Sequence, residues 1–91
     1  MNKSELIDSA AANAGLPKSE VETALKGLID AITDAVKSGE KVSITGFGTF
    51  ERRERSARTG RNPQTGAEVQ IAASKSPAFK PGKSFKDAVN V

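Results

Sequence analysis

Between Glu51 and Ser76 the chain holds Arg52, Arg53, Arg55, Arg58 and Arg61, but only two large aliphatic residues, Val69 and Ile71, and no aromatic. A segment of that composition cannot supply a hydrophobic core. It does alternate, and at its centre stands Arg61-Asn62-Pro63-Gln64-Thr65-Gly66, a stretch rich in turn formers. Two strands paired about that turn satisfy the backbone without a core, so the run predicts an extended, arginine-lined hairpin. The rest of the chain has to form a body from which this hairpin projects.

That body is thin. Outside the run, seventeen large apolar residues lie between Leu6 and Val91, and a body of about 65 residues buries too modest a share of its surface to be more than marginal alone. The chain has no cysteine and no histidine, so neither a disulfide nor a zinc site is available as a staple. Oligomerisation is the usual remedy, and a dimer is expected. The expected organisation is a single domain over 1–91, with a helical base at about 1–39, sheet and arm at about 40–81 (the arm about 52–76) and a last helix at about 83–90.

Charge is unevenly spread. Residues 1–51 carry five basic and eight acidic side chains, a balance of −3, whereas residues 52–86 carry nine basic and two acidic, a balance of +7. A basic second half on an acidic first half predicts a polyanion binder with a solvated supporting body. No stretch approaches the roughly 20 apolar residues of a membrane span, and the N-terminus has no signal-peptide core. A cytoplasmic location is expected.

The periodicity divides the chain. Leu6, Ile7, Ala10, Ala11 and Ala14 recur at helical spacing over Lys3–Ala14, with Asn2 and Glu5 as a capping box and Gly15 as the stop. Val21, Ala24, Leu25, Leu28, Ile29, Ile32, Ala35 and Val36 form the stripe of a second helix, from about Pro17 to Gly39, with Glu22 and Lys26 placed for an i, i+4 pair. A stripe this wide needs more partner surface than one short Ala-rich helix offers, which makes Leu28, Ile29 and Ile32 candidates for a dimer core. Gly27 is compatible with close helix packing.

The period then becomes two. Lys41–Thr45 alternates as a half-buried strand, Gly46-Phe47-Gly48 is a tight connection, and a second strand starts at Thr49-Phe50 and enters the arginine run. Glu68–Ile71 alternates again as the returning strand. Pro77 interrupts that strand and marks either an edge or a bend. Phe79 then returns to the body near Phe50, and Lys83–Asn90 is a short helix burying Phe85, Ala88 and Val89. Two helices, an antiparallel three-stranded sheet with a protruding ribbon, and a last helix make an α+β fold.

The arginines carry the chemistry. On a strand Arg53 and Arg55 share one face and Arg52 the other, with Arg58 and Arg61 further out. The arginine fork suits phosphate and never deprotonates, and arginine enters narrow minor grooves. Edge strands are often protected by charge, but by a residue or two rather than by five arginines. Asn62–Thr65 fits a type I turn with Gly66 at positive φ, which accounts for Pro63 structurally. At the end of a basic arm the same proline can also act as a wedge between base pairs, with Asn62 and Gln64 beside it to meet minor-groove base edges. From Phe50 to Pro63 the strand reaches roughly 43 Å, so two arms on a two-fold dimer could embrace a duplex. Lys80, Lys83 and Lys86 form a second basic group, and with Lys3 and Lys75 they could meet flanking phosphates.

Other functions lack their residues. There is no His, Cys, Tyr or Trp and no Walker-type phosphate loop, so no catalytic site, metal site, cofactor or small-molecule substrate is expected. The arm has no aromatic on which single-stranded bases could stack.

Gly46-Phe47-Gly48-Thr49-Phe50, the arginines, Gly60-Arg61-Asn62-Pro63-Gln64-Thr65-Gly66 and Pro77-Ala78-Phe79-Lys80-Pro81-Gly82, in that order and with Met1–Ile7 at the start, resemble the bacterial HU family over essentially all of the chain. The resemblance implies an intertwined dimer, homodimeric or paired with a paralogue, with two β-ribbon arms that enter the minor groove of double-stranded DNA in the nucleoid. It implies that Pro63 intercalates, that Arg53, Arg55, Arg58, Arg61, Lys80, Lys83 and Lys86 contact DNA, and that Phe47, Phe50 and Phe79 lie in the dimer core. The related integration host factor shares the fold but selects particular sequences; the tip and the N-terminus here are the more HU-like. Pro17 departs from the family, which often has a helix-capping residue there.

Overall fold

The computed structural model describes residues 1–91 as two compact units, Met1–Asp34 and Ala35–Val91. In the first, α1 spans Lys3–Ala14 and α2 begins at Lys18, running on to Lys37. The capping box forms as expected. Asn2 Oδ1 accepts from the Glu5 amide at 2.9 Å, and the Asn2 amide donates back to the Glu5 carboxylate at 3.4 Å. At the start of α2 the Pro17 carbonyl accepts from the amides of Glu20 and Val21 at 3.1 and 3.2 Å. Proline thus opens the helix through its backbone, and Lys18 adds an ion pair to Asp8 of α1. One expectation fails on these helices. Lys26 pairs with Asp30 at 2.9 Å instead of with Glu22, since both acids lie one turn away and only one can hold the ammonium. At Gly27 a Cβ would meet nothing within 4 Å, so Gly27 makes no close contact within the single chain.

Burial in the single chain is slight. Ile7 is the one buried apolar side chain, while Leu28 and Ile29 on the α2 stripe remain 59% and 47% exposed. Of the stripe predicted to need further partner surface, Val21, Leu25, Ile32, Ala35 and Val36 are half-buried, while Ala24, Leu28 and Ile29 stay exposed.

In the second unit β1 (Val42–Ile44), β2 (Gly48–Arg55) and β5 (Ser74–Pro81) form an antiparallel sheet in the order β1-β2-β5, and β3 (Arg58–Arg61) pairs with β4 (Glu68–Ile71). The first strand is shorter than Lys41–Thr45 because Thr45 is taken into the turn, closed by the Phe47 amide on the Ile44 carbonyl at 2.9 Å. Gly48 begins β2 because nothing larger fits: a Cβ there would lie 2.6 Å from the Lys80 carbonyl oxygen. Pro77 does not interrupt the returning strand. It pairs in register with Arg52 inside β5, which lies at the edge of the sheet, where a missing N–H costs no ladder bond on the outer side.

The four phenylalanines gather on this sheet. Phe50 sits directly across from Phe79 with ring centroids 4.8 Å apart, Phe47 lies 5.3 Å from Phe79, and Phe85 stacks on Phe47 at 4.9 Å. Phe85 comes from α3, Lys83–Val89. The expected burial of Phe85, Ala88 and Val89 is not seen in the single chain; in a helix of two turns only Phe85 reaches the cluster, and it is still exposed. Phe47 is still 42% exposed.

β2–β5 and β3–β4 are one hairpin interrupted once. Arg55 pairs with Ser74 and Arg58 with Ile71, three residues further on each strand. The gap at Ser56-Ala57 and Ala72-Ala73 therefore adds no residue to either side and leaves the register intact.

Candidate nucleic-acid interface

Alternation along β2 puts Thr49, Glu51, Arg53 and Arg55 on one face of the ribbon and Phe50, Arg52 and Glu54 on the other. Register adds their neighbours. Lys80, Ala78, Ser76 and Ser74 stand opposite the first set, and Phe79, Pro77 and Lys75 opposite the second. Ser43, across from Thr49, joins the first face through a hydroxyl–hydroxyl hydrogen bond of 3.1 Å. One face of the sheet is thus polar and cationic, the other aromatic near the body and mixed in charge further out. This separates the predicted residues: Arg53, Arg55 and Lys80 share a face, whereas Lys75 lies on the opposite one, across from Glu54.

At the centre of the cationic face is Glu51, the one buried charged residue. Its carboxylate lies 3.0 Å from Lys80 Nζ and 3.7 Å from Lys41 Nζ. The hydrogen bond from Lys80 holds its pKa below the usual carboxylate value, with the charges of Lys80, Lys41 and Arg53 adding to the effect and burial opposing it. Lys80, predicted as a phosphate contact, is therefore engaged by an acid of its own chain. Sequence alone does not reveal this pair, since only the register brings residues 51 and 80 together.

On the outer ribbon Arg58 lies on the side of Gly60, Val69 and Ile71, and Arg61 on the side of Thr59, Gln70 and Glu68. The two arginines thus flank the ribbon instead of sharing a surface. Ile71 folds over Gly60, where a Cβ would come within 2.9 Å of its Cδ1. Val69 and Ile71 nevertheless stay 46% and 40% exposed, an apolar strip on the face of Arg58.

The tip is tied by Asn62. Its Oδ1 accepts from the amides of Gln64 at 2.9 Å and Thr65 at 3.4 Å. The turn is wider than the expected type I turn over 62–65, because its closing bond runs from the Gly66 amide to the Asn62 carbonyl at 2.7 Å. Gly66 has φ +70 as expected, and the Asn62 amide reaches the Ala67 carbonyl at 2.8 Å. Pro63 and Gln64 stand exposed at the apex. Asn62 Oδ1 is committed to the turn, so its Nδ2 is the group it can offer to a ligand. Lys83 and Lys86 are exposed on α3, and Lys3 is exposed in the first turn of α1.

An exposed ribbon of this kind, with one cationic face and a proline at its apex, has close counterparts. Residues 1–90 match the family model described as bacterial DNA-binding protein. The chain belongs to the HU family. It is 58% identical to DNA-binding protein HU-beta of Pseudomonas aeruginosa over 90 residues, which is 99% of this chain and 100% of that one. It is 57% identical to DNA-binding protein HU of Geobacillus stearothermophilus over 89 residues, 98% of this chain and 99% of the other. Among solved structures, the HU of an Anabaena HU–DNA cocrystal superposes with a TM-score of 0.84 at 46% identity, covering 98% of this chain and 97% of that one. HU from Thermotoga maritima gives a TM-score of 0.68 at 38% identity, covering 98% of each chain. The HU-family fold is thus shared along the whole chain, arm included, and no helix in it is long and apolar enough to cross a membrane.

Proposed function

We propose that this chain is a non-enzymatic DNA architectural protein. As a dimer it binds duplex DNA with little sequence preference, lays its two arms in the minor groove, and bends the duplex, compacting the nucleoid in the cytoplasm. The observation that carries this is the cationic face of β2–β5 continuing in unbroken register into the exposed arginine-bearing ribbon. Its likeness to the HU of a DNA cocrystal supports the same conclusion.

Arg53 and Arg55 take phosphates at the root of the arm, joined by Lys80 once DNA competes with Glu51. Arg58 and Arg61, on the two sides of the ribbon, face the two walls of the groove. Pro63 is the wedge at the apex, with Gln64 and Asn62 Nδ2 meeting base edges beside it. Lys3, Lys75, Lys83 and Lys86 serve phosphates beyond the groove. Phe47, Phe50, Phe79, Leu28, Ile29 and Ile32 form the dimer core, which agrees with the large exposure of Phe47, Leu28 and Ile29 in the single chain. The whole of 1–91 acts as one DNA-binding domain.

Phosphate contacts supply most of the affinity and make it steeply salt-dependent. Bending costs about 1–6 kcal/mol on smooth elastic estimates, so DNA that is already nicked or flexible binds better. The test is bending and affinity on random, nicked and defined-sequence duplexes across a salt series. Equal affinity for nicked and intact DNA, or no salt dependence, would overturn the mechanism. Strong preference for one sequence would overturn the lack of specificity.

A further inference from the structure

Of the five arginines in the run, Arg52 alone turns back toward its own chain. Helix α2 ends in a Schellman-type cap: the Gly39 amide donates to the Val36 carbonyl at 3.0 Å and the Glu40 amide to the Ala35 carbonyl at 2.9 Å. That leaves the Lys37 carbonyl among the terminal acceptors without a backbone donor. Arg52 Nη1 fills it at 2.9 Å, while Nη2 pairs with Glu54 at 2.6 Å. Gly39, at φ +94, gives the guanidinium its room; a Cβ there would lie 3.2 Å from Nη2. A positive group at a helix C-terminus is also favoured by the helix dipole.

The position of this contact matters. β1 pairs with β2 only as far as Phe50. From Glu51 outward β2 and β5 continue as a two-stranded ribbon, a form that is marginal without further support. Arg52 is on the face away from Arg53 and Arg55, across from Pro77, two residues past the last rung with β1. We propose that Arg52 is a positioning residue, a clamp from the arm root to the last turn of α2. It replaces the lost third strand and fixes the direction in which the arm leaves the sheet, without touching phosphate. Its effect on DNA rests on the function proposed above; its effect on the free arm does not.

The test uses the full-length protein with Arg52→Met, which keeps the length and loses the fork, Arg52→Lys, which keeps the charge, and Arg53→Met as a phosphate-contact control. Without DNA, amide hydrogen exchange over 51–55 and 74–78 should quicken in Arg52→Met and, less, in Arg52→Lys, and stay near wild type in Arg53→Met. With DNA, Arg52→Met should bind roughly threefold to tenfold more weakly with a broadened distribution of bend angles by single-molecule FRET, yet keep the wild-type salt slope. Arg53→Met should flatten that slope by about 0.9, the value of one lost phosphate contact. A slope flattened equally by Arg52→Met would make Arg52 a phosphate contact and overturn the clamp. Unchanged exchange in Arg52→Met would overturn it as well. If no variant, nor the wild type, bound duplex, the proposed function would fail while the exchange data still judged the clamp.

Discussion

The inner and outer halves of the long hairpin share one register and little else. The inner half, β2 with β5, has a third strand along its first rungs, a cluster of phenylalanines on one face and a buried carboxylate holding two lysines on the other. The outer half, β3 with β4, has backbone ladder bonds, Ile71 over Gly60, and a turn tied by Asn62. Where packing holds the strands, Phe50, Phe79, Glu51 and Arg52 are engaged by the protein itself, and Arg53 and Arg55 are left for a ligand. Where little beyond the backbone holds them, Arg58, Arg61, Val69 and Gln64 remain open to a ligand. The difference separates what makes the sheet stable from what makes the arm useful.

The largest effect should come from breaking the inner half. Phe79→Ala removes the ring that touches Phe47, Phe50 and Phe85, and should cost about 3–5 kcal/mol in urea unfolding of the dimer. A loss below about 1 kcal/mol would mean that the aromatic cluster does not hold the sheet. In the outer half, Arg58→Ala with Arg61→Ala should leave stability within about 0.5 kcal/mol of wild type. It should flatten the salt slope of DNA binding by about 1.8, two lost contacts; an unaltered slope would remove both residues from the interface.

Smaller effects sharpen the contrast. Pro63→Ala should reduce bending measured by FRET while binding weakens but survives, and the fold should be untouched; full bending would leave Pro63 as a turn former only. Glu51→Gln tests the boundary between the halves. The folded-state pKa of Glu51 is lowered, so its stabilising effect is present above the ordinary carboxylate value of 4.5 and fades as pH falls from there through the lowered value. Acid unfolding curves of wild type and Glu51→Gln should therefore converge in that range. At neutral pH the variant frees Lys80 from Glu51 before DNA arrives, so DNA should bind more tightly while the salt slope stays at the wild-type value, because Lys80 takes its phosphate in both proteins.

Much of this was legible in the residues. The helices follow from local signals, the Asn2–Glu5 capping box, Gly15 and the 3.6-residue stripe of α2, and local signals do not depend on distant partners. The position of the arm follows from composition, because the run has too few apolar side chains for a core, and the tip from Asn62-Pro63-Gln64-Thr65-Gly66. What escaped depends on register. Pro77 is legible as an edge or a bend, and only the strand order, with β5 at the edge of the sheet, shows that the strand runs through it. The Glu51–Lys80 pair, the separation of Lys75 from Arg53, and the return of Arg52 to Lys37 each join residues at least fifteen apart, whose meeting no periodicity displays. Lys26 shows the local limit: with acids one turn away on both sides, spacing names two partners and cannot choose.

The unbroken register across the gap at Ser56-Ala57 has a consequence for how such an arm can vary in length. Shortening the hairpin by one residue on each strand would move the tip by about 3.3 Å, but it would also turn every side chain beyond the cut onto the opposite face. Arg61 and Arg58 would exchange sides, and the apex would present its other edge. Arms of this design can therefore be resized only in steps of two residues per strand, roughly 6.6 Å at a time, so that reach along the groove comes in discrete sizes and intermediate lengths change the handedness of the contact instead of its extent.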